Sequence, residues 1–67
     1  MDMNIVVIWT DRDGFTAKDH YSSYGVASDS AIAEAVAKSE KDPQHHTTVA
    51  VLINPSEDRV KSFGFFA

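Results

Sequence analysis

The stretch that decides the fold is NIVVIWT at residues 4–10, with the tetrapeptide DRDG directly after it at residues 11–14. An uninterrupted run of β-branched residues that ends in tryptophan is typical of a strand. Asp11 suits the first position of a type I turn, because its side chain accepts a hydrogen bond from the backbone two residues on, and Gly14 suits the fourth. Residues 15–21 (FTAKDHY) then alternate weakly between apolar and polar. We therefore expect a β-hairpin at the start of the chain.

One amphipathic helix is predicted in the middle of the chain. Apolar or small residues recur there at i, i+3, i+4 and i+7, and Ser28 with Asp29 supplies an N-cap and a first-turn acid. The helix should end near Lys41, because Asp42 precedes a proline and is disfavoured in helical geometry. Residues 22–26, between hairpin and helix, leave three alternatives: an extension of the second strand, a short extra strand or a loop.

Two further strands are predicted in the second half, TTVAVLI at residues 47–53 and VKSFGFF at residues 60–66, with a turn over residues 54–58 between them. The order of elements is then ββαββ. We expect a single α+β domain over residues 1–67. It should have an antiparallel or mixed sheet of about four strands and one helix packed on one face.

The predicted sheet is apolar on both faces, whereas a single helix covers only one of them. A domain of this size has a core worth on the order of 3–5 kcal/mol, and the absence of cysteine excludes disulfides and thiolate metal sites. We therefore expect the second face to be an interface that includes Trp9, Phe63 and Phe65, in a homodimer through the sheet or with another protein. The alternative is that the C-terminal aromatic residues and residues 21–24 fold over this face and close it.

The charge is unevenly distributed. Six basic and ten acidic residues give a net charge of −4, and eight of the acids lie in residues 1–42 with only four bases. Such a surface repels phosphate backbones and anionic membranes, so we expect neither direct nucleic-acid binding nor membrane binding. The predicted partner is a protein with a basic surface; the alternative is an acidic face that only aids solubility. The acids expected to contact the partner are Asp11, Asp13, Asp19, Asp29 and Glu34.

The sequence has no pattern that supports catalysis. It contains no Gly-x-Ser-x-Gly motif, no cysteine nucleophile and no glycine-rich phosphate loop. His20, His45 and His46 lack the spacing of a zinc site, and the turn already explains the Asp-x-Asp-Gly of residues 11–14 without a calcium loop. We predict a non-enzyme without metal or cofactor. No basic segment precedes the apolar run, which predicts that there is no secretory signal and that the protein is cytoplasmic.

The segment KSFGFFA at residues 61–67 resembles the first ribonucleoprotein motif of RNA-recognition-motif domains and the Lys-Gly-Phe-Gly-Phe strand of cold-shock domains. The resemblance implies that Phe63 and Phe65 stack bases on an open sheet face. Ser62 stands where the motif has a glycine. A single-stranded nucleic-acid binder is therefore an alternative function.

The chain as a whole is short, acidic and free of cysteine, and it resembles accessory proteins of phages and mobile elements, including anti-CRISPR inhibitors. Several families of those inhibitors present acidic surfaces that occupy nucleic-acid channels. The resemblance implies a phage-encoded nucleic-acid mimic that acts in the host cytoplasm. The hairpin followed by SDSAIAEAVA at residues 28–37 is similar to HicB-type antitoxin domains, which implies a toxin partner instead. The resulting prediction is a non-enzymatic, acidic protein-binding module, with an inhibitor of a nucleic-acid-binding complex as its most specific form.

Overall fold

A computed structural model of the chain describes residues 2–24 and 29–64. Within these ranges the fold is α+β, with a three-stranded antiparallel sheet and two helices. None of the described helices is long and apolar enough to cross a membrane. The elements are β1 (Asp2–Thr10), β2 (Thr16–Tyr24), α1 (Asp29–Glu40), β3 (Thr47–Ile53) and α2 (Glu57–Lys61).

The predicted hairpin is confirmed. β1 and β2 pair antiparallel along their whole lengths, from Thr10 opposite Thr16 to Asp2 opposite Tyr24. The turn between them is closed by the backbone hydrogen bonds Asp11 N to Phe15 O (3.0 Å) and Gly14 N to Asp11 O (3.2 Å). β2 continues to Tyr24, so residues 22–24 extend the second strand, whereas residues 25 and 26 lie outside the described part of the chain.

The strand order is β2-β1-β3, with the most apolar strand in the centre. β3 pairs antiparallel with β1, as β2 does, so β2 and β3 run parallel to each other with β1 between them. α1 connects these two parallel strands, which is the arrangement of a split βαβ unit. The predicted helix is confirmed over 12 residues, and the backbone N–H of Asp42 still bonds back to Ser39 O (3.2 Å) as the helix ends. The proposed N-cap, Ser28, lies outside the described residues.

One face of the sheet packs against α1. Its buried side chains belong to alternate residues of β1, and Ala35 of α1 completes the cluster. This alternation is what a strand dictates, because successive side chains point to opposite faces. The β1 members of the cluster are Met3, Ile5, Val7 and Trp9.

The other face is also covered at its centre, so the expectation that the chain provides nothing over this face is wrong there. Val6 and Ile8, which point to this face, are 2% and 0% exposed. α2 lies over it: Val60 is buried, and a cavity of about 220 Å³ is lined by Val60 and Lys61 on one side and by Val6 and His20 on the other.

The predicted fourth strand is also wrong within the described residues, since residues 57–61 form α2. The cause is local. The Ser56 side chain accepts a hydrogen bond from Arg59 N at 3.2 Å and caps a helix whose first turn carries two acids, Glu57 and Asp58. Phe65 and Phe66, which the strand prediction included, lie outside the described residues.

Candidate functional site

The hairpin turn presents an acid and an aromatic side chain at one end of the sheet. Asp11 is half-buried, and its Oδ1 accepts hydrogen bonds from the backbone N–H groups of Asp13 and Phe15, both at 2.9 Å. This bonding occupies one Asp11 oxygen and fixes the turn. Asp13 is exposed, and the Phe15 side chain is 54% exposed, the largest exposure among the large apolar residues described.

The loop between α1 and β3 lies beside this turn. Pro43 and Gln44 line a groove of about 330 Å³ together with residues 11–13. Asp42 is exposed, and its Oδ1 accepts the Gln44 N–H at 2.9 Å, so this loop is held by the same kind of side-chain turn. We call residues 11–15 and 42–44 the hairpin end. It carries three acids and one base, a net charge of −2 (−3 + 1).

The other predicted acids lie elsewhere. Asp29 begins α1. Glu34 and Lys38, which form an exposed ion pair of 3.2 Å, line a groove with Ile5 and Ser23, at the end of the sheet opposite the hairpin turn. An exposed i,i+4 pair of this kind contributes only about 0.3–0.5 kcal/mol. The five acids therefore do not form one surface.

Asp19 faces the core rather than a partner. It lies opposite Val7 on the α1 face of the sheet. Its Oδ2 accepts hydrogen bonds from Trp9 Nε1 at 3.0 Å and from Ser39 Oγ at 2.9 Å. Ser39 is 1% exposed, so water does not replace this acceptor. Burial, and then the neighbouring Asp19 carboxylate, raise the pKa of the Tyr21 hydroxyl above its usual value.

These polar side chains do not form a catalytic arrangement. Ser39 donates its hydroxyl proton to Asp19 and is buried, so a substrate cannot reach its oxygen. His45 instead stacks on Trp9, with ring centroids 5.2 Å apart, and its Nε2 is bonded to Thr48 Oγ1 at 2.9 Å. A serine nucleophile needs a histidine within hydrogen-bond reach, and neither ring nitrogen of His45 has Ser39 as a partner.

No metal site is formed within residues 2–24 and 29–64: no three histidine, aspartate or glutamate side chains there converge on a point that could hold an ion. The two adjacent histidines have separate hydrogen-bond partners. His46 Nδ1 is bonded to Thr47 Oγ1 at 2.9 Å, whereas His45 is bonded to Thr48. His20 lies on the other face of the sheet, where it lines the cavity under α2.

Trp9 and Phe63, the two described aromatic residues that were predicted for an interface, do not form one exposed surface. Trp9 is buried under His45, so it offers no surface to a partner. Phe63 follows α2 and is half-buried, and the Arg59 guanidinium lies 5.3 Å from its ring centroid. Phe65 lies outside the described residues. Because Lys61 ends a helix, residues 61–64, the described part of this segment, do not form the strand on which the RNA-recognition motif places its stacking rings.

Phe15 and Asp42, which bring an aromatic ring and a third acid to the hairpin end, were not among the residues predicted to contact a partner. A signal for Phe15 was available, since a large aromatic residue directly after a tight turn is expected at the tip of a hairpin. No local signal places Asp42 beside the turn, because that proximity depends on how α1 crosses the sheet.

Comparison of the chain with protein-family models, with curated proteins and with solved structures found no match.

Proposed function

We propose that this protein is a non-enzymatic binding module that docks onto a basic protein surface through its hairpin end. The observation that carries the proposal is the exposed Phe15 ring on a turn fixed by Asp11, with the exposed carboxylate of Asp13 beside it. An aromatic anchor surrounded by polar groups is the usual composition of an energetically dominant contact. The acids add long-range attraction to a basic partner.

The rigidity of the hairpin end supports this function. Both of its segments are held by side-chain-to-backbone hydrogen bonds, from Asp11 in the turn and from Asp42 in the loop. A binding loop that is already ordered loses little conformational entropy when it binds. The groove between the two segments is lined by Asp11 and Asp13, whose carboxylates can receive a partner arginine or lysine, and by one base, Arg12.

In the most specific form of this proposal, the protein is an inhibitor of the anti-CRISPR type. Its hairpin end then occupies a basic channel of a nucleic-acid-binding complex. Three acids within two short segments are the feature that fits such a channel. The prediction that follows is competition: the protein and a single-stranded oligonucleotide should exclude each other from the partner.

The test uses a photo-crosslinking amino acid in place of Phe15 to capture the partner, followed by binding measurements with the purified partner at several salt concentrations. We expect Asp13→Lys and Phe15→Ala each to weaken binding by about tenfold or more. Asp29→Lys is the matched control, because it makes the same charge change on α1, outside the hairpin end. It should change affinity by less than about threefold.

Two results would count against this function. One is equal weakening by Asp13→Lys and Asp29→Lys, which would mean that only net charge matters. The other is binding of a labelled oligonucleotide by the protein alone, lost on Phe63→Ala, which would favour the nucleic-acid alternative. If the protein binds its partner but an oligonucleotide does not compete with it, the binding module would stand and the channel-blocking form would be excluded.

A further inference from the structure

The two outer strands of the sheet differ sharply in chemistry. Since β1 is central, β2 and β3 are both edge strands of the sheet that residues 2–24 and 29–64 form. β2 carries Lys18 and Asp19 in its middle, and charged side chains are a usual protection of an open edge. β3 has the sequence TTVAVLI, with no charged residue and five β-branched ones. A segment of this kind at an edge is a template for another strand.

The outward backbone groups of β3 follow from its register with β1. Asn54 N donates to Asn4 O at 2.8 Å, so bonding to β1 falls on Asn54 and then on every second residue before it. Leu52 and Ala50 therefore bond to β1. The N–H and C=O groups of Val51 and Ile53 point away from β1, toward the open side of the strand.

The exposed apolar side chains of β3 lie on either side of Val51. Val49 is 53% exposed and Ile53 is 38% exposed, and with Phe15 they are the most exposed large apolar residues described. The register of β3 with β1 shifts between Ile8 and Trp9, at Val49, so the ladder is regular from Ala50 to Ile53 and twisted at its start.

We propose that β3 pairs antiparallel with β3 of a second copy of this chain, about a two-fold axis at Val51. This pairing sets Val49 of one copy opposite Ile53 of the other, so the two exposed apolar side chains cover each other. A second copy fits because the edge is self-complementary: it is uncharged, so no like charges face each other across the axis. The interface lies outside the hairpin end and is independent of the proposed function.

The test introduces single cysteines into a chain that has none. Val51→Cys should give a covalent dimer under mild oxidation. Directly opposed, hydrogen-bonded residues of antiparallel strands have Cα atoms about 5.5 Å apart, which is within the disulfide range of about 4.4–6.8 Å. A mixture of Val49→Cys and Ile53→Cys chains should cross-link to each other. His20→Cys is the control, because it lies in the middle of the opposite edge strand.

The second measurement is sedimentation of the unmodified chain and of Val49→Lys across a wide concentration range. We expect the unmodified chain to dimerise, and the lysine to raise the dimer dissociation constant by about tenfold or more. The far-ultraviolet circular dichroism of the variant should be unchanged, since Val49 is exposed. A chain that stays monomeric up to its solubility limit would overturn the proposal. A dimer that cross-links equally well through His20→Cys, or that Val49→Lys leaves intact, would also overturn it.

Discussion

Replacing Asp19 by alanine should destabilise the domain severely, although aspartate on a strand of an acidic protein would ordinarily be dispensable. The Asp19 carboxylate is the acceptor for two donors, Trp9 Nε1–H and Ser39 Oγ–H, at 3.0 and 2.9 Å. Trp9 is 6% exposed and Ser39 is 1% exposed, so water cannot readily take the place of the lost oxygen. Trp9 Nε1–H would remain buried without a partner, and Ser39 Oγ–H would keep only the neighbouring Tyr21 hydroxyl, which interacts with both Ser39 and Asp19.

The size of the effect follows from the two donors. A buried donor left without its acceptor costs about 1–3 kcal/mol. Two donors that share one acceptor do not add fully, so we expect a loss of about 2–4 kcal/mol for Asp19→Ala. A 67-residue domain has a free energy of unfolding of roughly 3–10 kcal/mol. The substitution therefore removes a large share of the stability. Asp19→Asn keeps one carbonyl oxygen for both donors and should cost about 1 kcal/mol.

The assay is urea unfolding followed by tryptophan fluorescence, because Trp9 is the only tryptophan and reports on this network directly. Asp13→Ala is the control: it removes the same charge from an exposed position and should lie within about 0.5 kcal/mol of the unmodified chain. If Asp19→Ala were no less stable than Asp13→Ala, the two donors would have other partners, and the argument from burial would fail.

Two further predictions concern the turn and the network. Gly14 has φ 87° and nothing within 4 Å of an added Cβ, so Gly14→Ala should lower the free energy of unfolding by about 1–2 kcal/mol through backbone strain alone. Gly14→Asn should lower it by less. Equal losses of stability for the two variants in urea unfolding would contradict this reasoning. The pKa of Tyr21 is raised in the folded protein, so as the pH rises this hydroxyl ionises in the unfolded chain first. The free energy of unfolding of the protein should therefore fall above about pH 10. Tyr21→Phe should reduce that fall, and an unchanged pH profile would show that Tyr21 is not its source.

The elements with strong local signals could be predicted from the sequence. The hairpin follows from the turn chemistry of Asp11 and Gly14, and α1 follows from helical periodicity and a proline-limited end. Residues 57–61 also carried a helix signal, since Ser56 precedes two acids. The apolar residues within 60–66, however, favoured a strand over the same part of the chain. Burial of Val60 accompanies the helical outcome, and the pocket that Val60 and Val6 both line is formed by residues more than fifty positions apart in the sequence.

The candidate site was harder to predict, because net charge does not show how each carboxylate is used. Asp11 and Asp13 were expected at the turn and lie there, yet Asp11 is partly engaged in holding it. Asp19 was expected on the same acidic surface, but it lies on the α1 face of β2 and accepts two hydrogen bonds. Only the register of β2 against β1, together with the position of α1, distinguishes the two cases.

The split βαβ topology determines how the two proposed surfaces relate to each other. The hairpin turn and the α1–β3 loop meet at one end of the sheet, whereas the open side of β3 runs along its length. Antiparallel pairing of two β3 strands reverses one copy relative to the other, so a dimer would carry its hairpin ends at opposite ends of a six-stranded sheet. Such a dimer could bind two separate partners, but it could not place both hairpin ends in one cleft. Its affinity for a single-site partner should therefore show no gain from avidity.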